Sequence, residues 1–193
     1  MGPLARKLDE QFTYGDYLTW DDDERWELID GIPYGMAPAP RLRHQGILME
    51  LSRQFANYLV DKPCRLFAAP FDVRLPAADE IDELIQTVVQ PDLSVICDRH
   101  KLDEAGCRGA PDLVVEILSP GTAHKDLNIK FERYERAGVR EYWIVDPTEK
   151  KVMTFVRGAN GRYGRPEIYA AEVMAPVTIF PDLQIALSTV FEH

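Results

Sequence analysis

The sequence has few cysteines and no long apolar run, and both absences narrow the class of protein. Its three cysteines are odd in number, scattered and without Cys-x-x-Cys spacing. This pattern excludes a zinc ribbon and argues against a disulfide scaffold, so a reducing cytoplasm is the expected location. No apolar run approaches the roughly 18 residues that a membrane span needs, and the charged N-terminus lacks the apolar segment of a signal peptide. We therefore expect a cytoplasmic protein without a membrane partner.

Positive charge is also scarce, since 22 Lys and Arg residues face 32 Asp and Glu residues and the net charge is −10. Because non-specific binding to nucleic acid depends on neutralising phosphates, this balance argues against a protein that coats nucleic acid. The same balance fits a cluster of carboxylates around a cation. At 193 residues the chain suits one domain with a full core, which we predict over residues 1–193 with the core at about 14–187.

Local patterns predict an α/β (α+β) fold with a mixed central β-sheet flanked by helices, an N-terminal β-hairpin and C-terminal strands. The hairpin is predicted over residues 26–36, with Asp30-Gly31 as its tight turn. Apolar residues at helical spacing predict helices over 44–60 and over 126–137, the second ending at Gly138. The further predicted strands are residues 64–69, 71–75, 88–98, the run around Glu116, 141–146, 151–157, 167–173 and 183–187.

A single acid, Glu116, stands inside the apolar run Leu113-Val-Val-Glu-Ile-Leu118. An ionised carboxylate in a buried strand is costly unless a positive group meets it. Asp112 shares its face of the strand but lies roughly 13 Å away at the usual rise per residue, too far to bind the same metal ion. Asp92, at the start of a strand expected to neighbour this one, can come close if the two strands pair. Two carboxylates from adjacent strands, with water in the other positions, are typical of a Mg²⁺ site.

A metal site that cleaves phosphodiesters also needs a fixed cation to polarise the attacking water or to hold the scissile phosphate. Residue 118, two positions after Glu116 on the same face of the strand, is leucine and cannot serve. Lys130 follows Asp126 by four residues and shares a helical face with it and with Tyr134, from which it can point over the strand ends. Asp126 itself is expected to be a helix N-cap rather than a ligand.

The chain carries a set of segments that occur together over roughly residues 14–187. They are Glu27-Leu-Ile-Asp-Gly31, Met36-Ala-Pro with His44, Gln90-Pro-Asp-Leu93, Pro111-Asp-Leu-Val-Val-Glu-Ile-Leu-Ser-Pro120, Asp126-Leu-x-x-Lys130, Tyr134 and Gly138-Val-Arg-Glu-Tyr-Trp-Ile-Val-Asp-Pro147. In this combination the chain resembles the Uma2 family of restriction-endonuclease-like proteins, a branch of the PD-(D/E)xK nuclease superfamily.

The resemblance implies a restriction-endonuclease-like core and a metal-dependent endonuclease that hydrolyses nucleic-acid phosphodiester bonds with Mg²⁺ or Mn²⁺ as cofactor. It implies Asp92 as the motif aspartate and Glu116 as the second acid, both catalytic and metal-binding. The chain departs from the superfamily's Glu-x-Lys pattern at Leu118, and Lys130 on the following helix looks like the relocated catalytic lysine.

Further positions stay open. By position, the superfamily's first-helix acid falls on Glu50, and Glu27 is an alternative. The candidates for additional site residues are His44, Glu50, Glu27 and Tyr134. The candidates for contacts with a nucleic-acid backbone are Arg41, Arg43, Arg53 and Arg74.

A second hypothesis belongs to another class: a catalytically silent, oligomeric scaffold or binding protein that retains the nuclease fold. The acidic net charge and the leucine at position 118 favour it, because a fold can survive the loss of its chemistry. Under either hypothesis the C-terminal strands and the hairpin favour a symmetric homodimer.

Overall fold

The structure is a computed structural model, which describes residues 10–21, 24–36 and 41–192. The α-helices within these residues are α1 (Tyr14–Tyr17), α2 (Leu42–Leu59), α3 (Phe131–Ala137) and α4 (Leu187–Val190). A π-helical turn (Lys125–Lys130) leads into α3, and two short 3-10 helices are formed by Asp82–Leu84 and Arg99–Lys101. The strands are β1 (Trp26–Ile29), β2 (Ile32–Gly35), β3 (Arg65–Ala68), β4 (Val73–Arg74), β5 (Val88–Val89), β6 (Leu93–Ile96), β7 (Leu102–Asp103), β8 (Gly106–Arg108), β9 (Leu113–Ile117), β10 (Glu141–Asp146), β11 (Lys151–Val156), β12 (Glu167–Ala170), β13 (Met174–Val177) and β14 (Phe180–Ala186). No helix in these ranges is long and apolar enough to cross a membrane.

The central sheet has the strand order β12-β11-β10-β9-β6-β3. Strands β9 and β10 are parallel, and every other pair in this sheet is antiparallel. The parallel pair needs a crossover connection, which the π-helical turn and α3 supply. The predicted mixed sheet with flanking helices is therefore confirmed.

The helix predicted over 44–60 is confirmed as α2, and it packs on one face of the central sheet. Its buried stripe includes Ile47, Leu51 and Phe55, and the Phe55 ring meets Trp143 of β10 at 5.9 Å between centroids. Complete burial of each such side chain stabilises the fold by roughly 1.5–3 kcal/mol. This face forms the larger core, and the opposite face of β9 is left for the Glu116 side chain.

The predicted N-terminal hairpin is also confirmed, with β1 and β2 joined by Asp30-Gly31. Both turn residues have positive φ, 50° and 75°, which is the backbone of a type I′ turn and suits an Asp-Gly pair. This hairpin forms one edge of a second six-stranded sheet, which has the strand order β2-β1-β5-β4-β8-β7. Strand β1 therefore lies between β2 and β5, in a sheet separate from the one that holds Glu116.

The single strand predicted over 88–98 is wrong. The segment forms two strands in different sheets, β5 beside β1 and β4, and β6 between β3 and β9. The break falls at Gln90-Pro91-Asp92, where proline cannot donate a ladder hydrogen bond. Asp92 consequently lies at the point where the chain passes from one sheet to the other.

The helix predicted over 126–137 ends as expected at Gly138, whose φ is 97°. Its beginning differs, because the π-helical turn places an extra residue in the first turns and changes which side chains face inward. Leu127 is 39% exposed, whereas Asp126 is buried. The N-cap assignment of Asp126 is wrong, since its backbone N–H already donates to the carbonyl of Thr122 inside the helical segment.

Two cysteines are paired, contrary to the expectation from their scattered spacing. Cys64 and Cys97 form a disulfide, and Cys107 is free and buried. The antiparallel register of β3 and β6 sets Arg65 opposite Ile96, so the flanking cysteines face each other. The spacing of 33 residues carries no sign of this pairing, because it arises from strand order.

Candidate functional site

Asp92 and Glu116 come together at adjacent ends of β6 and β9. These strands are antiparallel with Leu93 opposite Val115, and continuing that register sets Asp92 opposite Glu116. Directly opposed side chains lie on one face with their Cβ atoms roughly 4.5–5.5 Å apart. The Oδ2 atom of Asp92 accepts a hydrogen bond of 2.7 Å from the backbone N–H of Ile117, which fixes the carboxylate beside the end of β9.

Lys130 reaches the Glu116 carboxylate from the helical crossover. Its Nζ lies 2.8 Å from Oε1 of Glu116, 2.6 Å from Oε1 of Glu27 and 3.8 Å from Oδ1 of Asp126. The side chain of Lys130 is only 3% exposed. Burial lowers the pKa of Lys130, but the three carboxylates outweigh it and raise that pKa, so the ammonium keeps its charge.

Glu27 joins the two sheets at this point. It is fully buried on β1, and its Oε2 accepts from the Lys125 ammonium at 2.5 Å. The backbone N–H of Gln90 donates to Oε1 at 2.9 Å. Burial raises the pKa of Glu27, but Lys130 and Lys125 outweigh it and lower that pKa, so Glu27 is an ionised partner for both lysines.

Glu116 has the opposite electrostatic balance. Burial raises its pKa to about 8 despite the opposing charge of Lys130, and the carboxylates of Asp126, Asp92 and Glu27 add to the rise. The Tyr134 hydroxyl donates to Oε1 of Glu116 at 2.8 Å. Burial also raises the pKa of Asp126, although Lys130 opposes it. Crowded carboxylates of this kind favour additional positive charge.

His44 lies on the Asp92 side of the cluster. Its Nε2 is 3.3 Å from Oδ2 of Asp92, and its Nδ1 is buried without a hydrogen-bond partner among the described residues. Burial lowers the pKa of His44, but the hydrogen bond and charge of Asp92 outweigh it and raise that pKa. The imidazole therefore supports the position of Asp92.

The structure does not bring Glu50 to this cluster. Its carboxylate binds Arg53 on α2 at 2.6 Å and accepts from Gln54 at 2.9 Å and from the Thr189 hydroxyl at 2.8 Å. These contacts tie α2 to α4. Of the two acids considered for the additional position, Glu27 is the one beside Lys130.

The four arginines considered for backbone contacts fall into two groups. Arg74 is buried and pairs with Asp82 and Asp103, and Arg53 pairs with Glu50, so both have protein partners. The buried Arg74 cannot reach a nucleic-acid backbone, which corrects that expectation. Arg41 and Arg43, at the start of α2, retain some exposure and stay candidates.

Residues 14–188 match the model of the Uma2 family, whose description reads "Putative restriction endonuclease". The chain belongs to the Uma2 family. An uncharacterized protein of Synechocystis sp., slr1290, is 28% identical over 149 residues, which cover 76% of this chain and 74% of that protein. A crystal structure described as a "putative nuclease belonging to DUF820" from Anabaena variabilis superposes with a TM-score of 0.74 at 20% identity. The match covers 94% of this chain and 98% of the Anabaena chain, and it shows that the two proteins share a fold.

Two carboxylates of this Uma2 chain fit a metal ion that has few protein ligands. The described residues hold no group of three or more His, Cys, Asp or Glu side chains placed to bind one ion. Asp92 and Glu116 each commit one carboxylate oxygen to the hydrogen bonds given above, and their Oδ1 and Oε2 atoms accept none within the described part of the chain. Two carboxylate oxygens with water in the other positions suit Mg²⁺, which keeps several waters in proteins.

Sequence reasoning missed the parts played by Asp126, Lys125 and Gln90 in the Uma2 site. The four-residue spacing places Asp126 on one helical face with Lys130, but its expected role as an N-cap excluded it from the predicted cluster. Lys125 and Gln90 carry no such signal. Both meet Glu27, and that contact depends on how β1 approaches the helical crossover.

Proposed function

We propose that this chain is a metal-dependent endonuclease that hydrolyses nucleic-acid phosphodiester bonds through an Asp/Glu/Lys site. The observation that carries the proposal is the contact of 2.8 Å between Lys130 Nζ and Glu116 Oε1. Although residue 118 is leucine, the helical crossover brings a lysine to the second acid. The family description and the fold shared with the cyanobacterial structure support the same proposed function.

Asp92 and Glu116 would hold Mg²⁺ or Mn²⁺ through the oxygens that accept no hydrogen bond. When bound, the ion would supply Lewis-acid polarisation of a phosphoryl oxygen and a more acidic water. The pKa of Glu116, raised to about 8 by burial and by neighbouring carboxylates, supports a need for added positive charge at this place.

Other residues of the chain would have separate roles in the reaction. Lys130 would place its ammonium against the attacking water or the scissile phosphate, where fixed positive charge stabilises the charge that develops. Glu27 and Tyr134 are positioning residues, since one holds the Lys130 ammonium and the other holds Oε1 of Glu116. His44 holds Asp92 from the other side.

The proposal includes nucleic acid as substrate, a homodimer and a cytoplasmic location. Strand β12 is the edge of the central sheet, and Ile168 on it is 62% exposed, so a second copy could pair there. In a reducing cytoplasm, Cys64 and Cys97 would be thiols. Light scattering after size exclusion measures the assembly, and a monomer at working concentration would remove the dimer from the proposal.

The test is cleavage of DNA and RNA with Mn²⁺, Mg²⁺ or a chelator. We expect metal-dependent cleavage by the wild type and a loss of about 10²–10³-fold in Glu116→Ala, because the group that organises the site's charge is removed. The matched control is Glu132→Gln, an exposed acid on α3, which should cleave like the wild type. Cleavage by Glu116→Ala at the wild-type rate would remove Glu116 from the chemistry.

A catalytically silent scaffold is the second candidate, and one observation favours it. Lys130 is 2% exposed and is held by Glu27 and Glu116 together, which is also the arrangement of a purely structural buried ion pair. Calorimetric titration with Mn²⁺ separates the two candidates. Absence of binding, together with higher stability of Glu116→Gln than of the wild type, would favour the scaffold.

A further inference from the structure

A cleft of about 700 Å³ lies between α3 and the loop that follows β11. Its lining includes three arginines, Arg136 on α3 and Arg157 and Arg162 in the loop, and contains no described residue of the candidate site. We call this feature the arginine cleft. Three guanidinium groups in one concavity of a chain whose net charge is −10 indicate a site for an anion.

Two of the three guanidinium groups are held in place by Glu135, which is buried on α3. Arg162 donates from Nη1 to Oε1 of Glu135 at 2.7 Å, and Arg157 donates from Nε to the Glu135 carbonyl at 3.4 Å. The backbone N–H of Tyr163 donates to the other carboxylate oxygen at 2.6 Å. Hydrogen bonds from Arg162 and Tyr163 lower the pKa of Glu135, so this carboxylate is ionised. The loop is thus tied to α3, and one wall of the cleft is formed before any ligand binds.

The other two charges, on Arg136 and Arg157, are available to a ligand. Neither arginine forms an ion pair within 4 Å in the described part of the chain, and both are exposed. A Cβ at Gly161 would lie 3.1 Å from Nη2 of Arg157, so the glycine leaves room for that guanidinium. Glu132 also lines the cleft and forms no ion pair within these residues, so its exposed carboxylate can turn into water. With three arginines and two glutamates, the lining has a net charge of +1.

Part of the lining is apolar. Leu127 is partly exposed, and the neighbouring Phe131 is half-buried. The Phe131 ring packs against Phe155, at 4.9 Å between ring centroids, and against Tyr163, at 5.1 Å, so its position is fixed from behind. A flat ring can pack on such a surface. The cleft therefore suits a ligand that has an anionic group at one end and a ring at the other.

We propose that the arginine cleft binds a nucleoside phosphate monoester, with its phosphate on the three guanidinium groups and its base against Leu127 and Phe131. A phosphate monoester has a charge of about −1.5 to −2 at pH 7, more than a carboxylate has, and its oxygens match the fork of a guanidinium. A free nucleotide and the terminal phosphate of a nucleic-acid strand share this chemistry. The inference does not rest on the proposed endonuclease function, because the cleft shares no residue with that site.

The test is calorimetric titration with adenosine 5′-monophosphate, adenosine and ribose 5-phosphate in a phosphate-free buffer that contains a chelator. We expect the monophosphate to bind at least about tenfold more tightly than adenosine, which lacks the charge, and than ribose 5-phosphate, which lacks the base. Arg136→Gln and Arg157→Gln should each weaken binding of the monophosphate about tenfold. Arg65→Gln changes an exposed arginine on β3, and this matched control should bind like the wild type.

The source of the phosphate is tested with oligothymidine that has fluorescein at its 3′ end and either a phosphate or a hydroxyl at its 5′ end. Tighter binding of the phosphorylated strand, lost in Arg157→Gln, assigns the cleft to strand ends, and binding of the monophosphate without that preference assigns it to free nucleotides. Either result supports the inference. Equal affinity for the monophosphate in the wild type, Arg136→Gln and Arg157→Gln overturns it, as does failure of the wild type to distinguish the monophosphate from adenosine or from ribose 5-phosphate. Neither of these results bears on the endonuclease proposal, because no cleavage is measured.

Discussion

Glu27 on β1 and Lys130 at the start of the α3 crossover form a buried ion pair, with 2.6 Å between Oε1 and Nζ. The pair joins the two six-stranded sheets, because Glu27 belongs to one of them and Lys130 also binds Glu116 of the other. Neither charge reaches bulk water. The pair therefore holds the two sheets together and also fixes the positive charge beside Glu116.

Removing Glu27 should destabilise the protein strongly. In Glu27→Gln the Lys125 and Lys130 ammonium groups lose their shared counter-charge, and breaking a buried pair from one side costs about 3–5 kcal/mol. Urea unfolding measures the loss. The double variant Glu27→Gln/Lys130→Met should recover part of it, because no uncompensated lysine is left at position 130; a double variant whose loss equals the sum of the two single losses would contradict the pairing.

The decrease of the unfolding free energy at acidic pH should depend in part on Glu50. Hydrogen bonds from Arg53, Thr189 and Gln54 lower the pKa of Glu50 to about 2 against the opposing effect of burial. Since the folded pKa lies below the unfolded value near 4.5, the stabilisation is complete above that pH and is lost as the pH falls towards about 2. Glu50→Gln should make the fall of the unfolding free energy between these pH values shallower, as urea unfolding over a pH series would show.

The size of the Glu50 effect should be modest. An ion pair with a partly exposed arginine is worth less than about 1 kcal/mol. The exposed acid Glu132 supplies the control, since Glu132→Gln should leave the slope of the acid limb as it is in the wild type. An unchanged slope in Glu50→Gln would show that α4 is held to α2 by other contacts.

Reduction of the Cys64–Cys97 disulfide should lower the free energy of unfolding by about 3–4 kcal/mol, because the bond closes a loop of 33 residues in the unfolded chain. Urea unfolding with and without dithiothreitol measures the difference. Cys64→Ser is expected to match the reduced protein and to be insensitive to the reductant. Equal stability of the oxidised and reduced wild type would contradict the expectation.

Much of the candidate site could be inferred from local rules. The rise per residue along a strand sets Asp112 too far from Glu116 to share a metal ion, and the four-residue spacing places Lys130 on one helical face with Asp126. The structure brings both Asp92 and Lys130 to Glu116. These contacts join residues whose strands or helices are adjacent in the fold.

The rest depends on relationships between distant parts of the chain. Glu27 reaches Lys130 only because the break at Pro91 sends β5 and β6 into different sheets. Pro91 marks the break in the sequence, but the sheet that each strand joins depends on pairing with distant strands. The inward turn of Asp126 comes from a π-helical turn that helical periodicity does not reveal. The Cys64–Cys97 pair likewise depends on strand order.

We propose that Lys130 supplies from a helix the charge that the superfamily's Glu-x-Lys pattern would place at Leu118. The direct test is metal-dependent cleavage of DNA and RNA by the wild type, Lys130→Met and Leu118→Lys/Lys130→Met. We expect a loss of about 10²-fold or more in Lys130→Met and a partial recovery when lysine is introduced at position 118, directly after β9. Cleavage by Lys130→Met at the wild-type rate would contradict it.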